Sequence, residues 1–156
     1  MNAAAEFLAA RPRSVDETTR RLRHLGYPDA LVEHVVGRLV EMKYLDDADF
    51  ARAWVESRDR ARPRGETALR RELTLKGIER SVVDEVLSER TTVAGGNGAD
   101  LAAASALLER RRKTIEREPD PYRRRQKAYA LLARNGFDPE TCREVSARLV
   151  AAPATE

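Results

Sequence analysis

Leu22-Arg23-His24-Leu25-Gly26-Tyr27, Leu73-Thr74-Leu75-Lys76-Gly77-Ile78 and Leu132-Ala133-Arg134-Asn135-Gly136-Phe137 repeat one pattern: a leucine, three residues, a glycine and a large apolar residue. Glycine tolerates the left-handed backbone that ends a helix, and the apolar residue after it packs back onto the leucine. Val35, Val86 and Val145 each follow their glycine by nine residues, on the inner face of a second helix that starts two or three residues past the turn. The chain therefore reads as a tandem array of helix–glycine turn–helix units, spaced 51 and 59 residues apart. Such an elongated all-helical surface suits gripping a partner better than enclosing a substrate.

Capping residues and periodicity place the remaining elements. A short helix near 3–10 stops at Arg11-Pro12-Arg13. Ser14 and Glu17 have capping-box spacing at the head of the next helix. Asp29 is expected to cap a third, whose stripe of Leu31, Val32, Val35, Val36, Leu39 and Val40 runs to about Lys43. Phe50, Ala51, Trp54 and Val55 mark the buried face of a helix that Arg62-Pro63-Arg64-Gly65 breaks. Helices follow at about 66–76 and 81–89, and Gly95-Gly96-Asn97-Gly98 reads as flexible. Pro119 and Pro121 divide the next two helices, and Asp138 caps the last with Pro139 at its first position. The resulting division is repeat 1 at 1–43, repeat 2 at 44–90, a flexible linker at 91–98 and a basic repeat 3 at 99–152.

Little in the composition points to catalysis. Charged residues make up 35% of the 156 and aromatics 5%, so thin apolar stripes outweigh any single thick core. Asp46, Asp47 and Asp49 resemble a carboxylate cluster, but acids at a helix start serve capping and the helix dipole. His24 and His34 lack metal-ligand spacing, and Cys142 occupies the position that Val83 holds in the second repeat, as a small buried hydrophobe. Phosphate-loop, dinucleotide and nucleophile-elbow motifs are missing, so neither enzyme nor cofactor is expected. One cysteine, no apolar run of membrane length and no basic leader fit a cytoplasmic protein. With no apolar helix face beyond those the modules need, a monomer is expected.

The informative charge is local. Residues 100–135 hold 10 basic and 5 acidic side chains. Arg110, Arg111, Arg112 and Lys113 form one cluster, and Arg123, Arg124, Arg125 and Lys127 a second; Arg62 and Arg64 belong to a more diluted band. Four adjacent residues spread around most of a helix, so these are either a solvated face or contacts to a polyanion or an acidic protein.

Tyr44-Leu45-Asp46-Asp47, then Phe50-Ala51, Gly65, Glu72-Leu73, Lys76-Gly77-Ile78 and the closing Gly136-Phe137 after Arg134 together resemble the RecX regulators of the RecA recombinase. The similarity covers nearly the whole chain; Lys43 stands where that family usually has glycine. The resemblance implies tandem three-helix repeats in an elongated, curved array. It also implies binding in the groove of the RecA–single-stranded-DNA filament, with suppression of ATP hydrolysis, strand exchange and co-protease activity. The arginine clusters are then expected contacts to filament acids or DNA phosphates. Two other readings stay open: a sequence-independent DNA-binding helical module, touching single- or double-stranded DNA weakly, and a helical scaffold for an unrelated acidic protein.

Overall fold

A computed structural model describes residues 2–151. Its described residues form nine helices and no strand: α1 (Asn2–Ala10), α2 (Val15–His24), α3 (Asp29–Glu41), α4 (Asp47–Ala61), α5 (Glu66–Leu75), α6 (Arg80–Val93), α7 (Gly98–Glu116), α8 (Pro121–Arg134) and α9 (Pro139–Ala151).

The three glycine turns close as the sequence predicts. Gly26, Gly77 and Gly136 have φ of 85°, 75° and 84°. The amides of Tyr27, Ile78 and Phe137 donate to the carbonyls of Leu22, Leu73 and Leu132 at 3.3, 3.1 and 3.3 Å, the six-to-one bond of a Schellman helix end. Ile78 and Phe137 are buried, whereas Tyr27 is 42% exposed, and a Cβ added at Gly26 would meet nothing within 4 Å. A fourth helix end has the same form without glycine. Lys43 takes φ 61°, and the Tyr44 amide donates to the Leu39 carbonyl at 2.9 Å.

Compact packing divides the chain into two units. The first gathers residues up to Trp54 with Glu72–Val86; the second gathers Val55–Arg71 with the residues from Leu87 on. The breaks fall inside α4, α5 and α6, so the middle repeat supplies helix segments to both units. In the first unit Ala4, Leu22, Val32, Val35, Val36, Leu39 and Leu45 form a core. Phe50 is buried there and stacks on Trp54 with ring centres 6.0 Å apart. Trp54 itself is half-buried, and its indole N–H donates to Glu72 at 2.8 Å. In the second unit Ala104, Leu108, Ala128, Leu132, Phe137, Cys142 and Val145 pack together.

Two expectations change. Asp29 is the first residue of α3 and does not cap it; Pro28 holds the cap position, and the Asp29 carboxylate pairs with Arg23 at 2.8 Å. The break expected over 91–98 is shorter, because α6 continues to Val93 and α7 begins at Gly98. The Gly95 amide donates to the Thr92 carbonyl and the Gly96 amide to Thr91, so this segment closes as a helix-ending turn.

Candidate interaction surface

The same joint occurs in both units. At the head of α2, the Ser14 hydroxyl accepts the Glu17 amide and donates to the Lys76 carbonyl at 2.6 Å, while the Val15 amide donates to Asp47 at 2.9 Å. At the head of α5, the Gly65 amide donates to the Asn135 carbonyl at 2.9 Å, and the Glu66 amide donates to Asp100 at 3.1 Å. In each case a helix N-terminus, with its unpaired amides, meets the residue just before a Schellman glycine. An aspartate from the first turn of a third helix covers the next amide. Asp46, Asp47 and Asp49 are thereby accounted for. Asp46 accepts the Asp49 amide at the start of α4, Asp47 reaches α2, and Asp49 pairs with Arg52. No cluster that could hold a metal occurs among the described residues.

The first joint carries a charged tie. Lys76 lies 2.9 Å from Glu17 and 5.1 Å from the Trp54 ring centre. Burial pushes the Glu17 carboxyl up, but Lys76 and the Ser14 amide outweigh it and hold the carboxyl below its ordinary range. Asp47 goes the other way: burial and the nearby Asp16, Asp46 and Glu79 raise it against the Val15 hydrogen bond. In the second unit Arg90, only 8% exposed, grips Asp59 through two nitrogens at 2.8 Å and Asp100 at 2.6 Å. Nothing local in the sequence marked Arg90, because Asp59 lies 31 residues away.

The basic clusters separate into engaged and open side chains. Arg110 donates to the carbonyls of Arg60, at 2.5 Å, and Ala61, at the end of α4. Arg112 sits between Glu109 at 3.0 Å and Glu116 at 2.7 Å. Arg124 donates to the Glu118 carbonyl at 3.0 Å, and Lys127 pairs with the Glu118 carboxylate at 2.7 Å. Arg64 donates to the Asn135 side chain beside the second joint. Arg62, Arg111, Lys113, Arg123 and Arg125 are exposed, and no described residue forms an ion pair with them. The open set therefore alternates with structural arginines along the same helices.

Sequence reasoning missed a groove beside this set. Tyr122, Arg125, Gln126 and Tyr129 of α8 face Arg143 and Ser146 of α9 across a space of about 260 Å³. The α8 residues share a face by their i, i+3, i+4, i+7 spacing, which was legible. Arg143 joins them only through the α8–α9 packing.

Repeated helix-end joints and a cation-bearing final repeat define a protein of tandem three-helix modules. Comparison with known proteins identifies the modules individually. The first three-helix domain of RecX matches residues 1–39, the second 46–87 and the third 99–145. The regulatory protein RecX of Prosthecochloris aestuarii is 33% identical over 144 residues, covering 92% of this chain and 89% of its own. That of Mycobacterium avium is 35% identical over 145 residues, covering 92% and 81%. The crystal structure of RecX from Lactobacillus salivarius superposes with a TM-score of 0.81 at 16% identity, over 97% of this chain and 94% of that one. This chain belongs to the RecX family.

Proposed function

We propose that this protein regulates the RecA recombinase, chiefly as an inhibitor, by lying in the groove of the RecA–single-stranded-DNA filament. Occupancy there suppresses ATP hydrolysis, strand exchange and co-protease activity, and so tempers DNA repair by homologous recombination and the SOS response. Membership of the RecX family, with all three modules matched in order, is the observation that carries this reading. The protein works without catalysis, as a cytoplasmic monomer whose repeats at 1–43, 44–90 and 99–152 touch successive protomers. Several modest contacts then add through effective concentration. Arg111, Lys113, Arg123, Arg125 and Arg62 supply the contacts to filament acids or phosphates. Arg110, Arg112, Arg124, Lys127 and Arg64 hold the surface in shape, as their existing hydrogen bonds and ion pairs favour.

The test is ATP hydrolysis by the cognate RecA on single-stranded DNA as the protein is titrated in well below equimolar. Loss of turnover at a small fraction of the RecA concentration supports groove occupancy. Undiminished turnover at equimolar protein overturns it.

A further inference from the structure

We infer that the α8–α9 groove is a stacking site for single-stranded nucleic acid, with bases against Tyr122 and Tyr129 and phosphates on Arg125 and Arg143. Four observations lead there. Two tyrosines lie on one stripe of α8, Tyr122 70% exposed and Tyr129 half-buried, so both present aromatic surface to the groove. Arg125 and Arg143 stand on opposite walls, exposed, with no ion pair to a described residue. Their neighbours Arg124 and Lys127 are both engaged, so the groove cations are the ones left open. No acidic side chain among the described residues lines the groove.

The chemistry selects among polyanions. A duplex hides its base faces, so a tyrosine face gains from unpaired bases. An acidic peptide anchored by an apolar side chain gains from enclosure, which a ring as exposed as Tyr122 does not give. A free mononucleotide making one stack on an open ring is held only at about millimolar concentration. Consecutive nucleotides on one strand gain both rings and both guanidinium groups together. Base–aromatic stacking with phosphate contacts is tolerant of sequence.

This inference stands apart from the filament reading, and its test uses no recombinase. Fluorescence anisotropy of a labelled thymidylate 20-mer follows binding to the full chain. Tyr122→Leu, which keeps an apolar side chain, is expected to weaken binding about tenfold, while Tyr122→Phe retains it. Arg125→Gln with Arg143→Gln is expected to flatten the slope of log K against log salt by about 1.4, roughly 0.7 for each phosphate released. Arg21→Gln with Arg71→Gln, two exposed arginines outside the groove, serves as a charge-matched control, and circular dichroism checks that every variant is folded. An abasic strand of equal length is expected to bind at least about tenfold more weakly than the thymidylate strand. Equal binding of the abasic strand, stronger binding of a duplex, an unaffected Tyr122→Leu, or displacement of the strand by a polyglutamate peptide each overturns the inference.

Discussion

Gly65 and Gly136 approach so closely that a Cβ on Gly65 would fall 2.2 Å from the Gly136 carbonyl oxygen, and a Cβ on Gly136 would fall 2.4 Å from the Ala68 Cβ. Both obstacles are fixed to backbone and cannot swing away. Gly77 has the same problem against Asp16 at 2.3 Å, whereas Gly26 has nothing within 4 Å. Three turns with one backbone geometry therefore carry different penalties. Gly26→Ala should cost about 1 kcal/mol, the left-handed strain alone. Gly136→Ala and Gly77→Ala should cost about 3 kcal/mol or more, adding displacement of a packed neighbour to that strain. Urea midpoints of the three variants check the order.

Lys43 holds a left-handed conformation that the other Schellman ends give to glycine. Its backbone bonds are already made, so Lys43→Gly should stabilise the protein by about 0.5–1 kcal/mol, strain relief exceeding the added chain entropy. Thermal denaturation should show a higher Tm with unchanged helical content.

Asp47 acts through an acceptor oxygen, and its charge is unwelcome. Asp47→Ala, which strands the Val15 amide, should cost about 1 kcal/mol, as lost caps do. Asp47→Asn keeps an acceptor and relieves repulsion from Asp16 and Asp46, so it should be at least as stable as the parent at pH 7. Paired denaturant curves at one pH separate the two effects.

Glu17 titrates below its ordinary value of 4.5 in the folded protein. Its contribution is therefore full above that value and is lost as pH falls through the depressed folded one. Stability of the parent relative to Glu17→Gln should be greatest near neutrality and shrink below about pH 4.5. A gap that stays constant down to pH 3 would reject the Lys76 pairing as its source.

Arginines next to one another in sequence should behave differently. Arg110→Ala removes donors from the terminal carbonyls of α4 and should lower the Tm. Arg123→Ala with Arg125→Ala should leave the Tm unchanged and weaken inhibition of RecA. Melting curves and ATPase titrations on the same preparations test both halves.

The helix ends were legible because a Schellman turn is local: Leu73, Gly77 and Ile78 announce it within six residues. The Ser14–Glu17 capping box was legible for the same reason. Asp29 misled because an acid beside a helix start reads as a cap, while proline held that position and Arg23 drew the carboxylate away. Asp47 read as an ordinary first-turn acid, and nothing in the sequence singled out Asp100. Their real partners, the amides of Val15 and Glu66, lie 32 and 34 residues upstream, beyond the reach of periodicity. The arginine clusters were visible as composition, but their division into engaged and open side chains depended on which carbonyls and carboxylates the fold delivered. Arg143 was passed over because no cluster surrounds it in sequence.

The two helix-head joints also bear on how the chain reaches its native state. Ser14 waits for a carbonyl 62 residues downstream, and Arg64 for a side chain 71 residues away. A helical protein whose contacts were all local would fold within microseconds to milliseconds, each hairpin on its own schedule. Here the heads of α2 and α5 are completed only when the following repeat supplies its aspartate and its glycine turn. Loop closure over such distances slows the final step and makes it cooperative. A chain emerging from the ribosome would thus leave each repeat unfinished until the next one had been made.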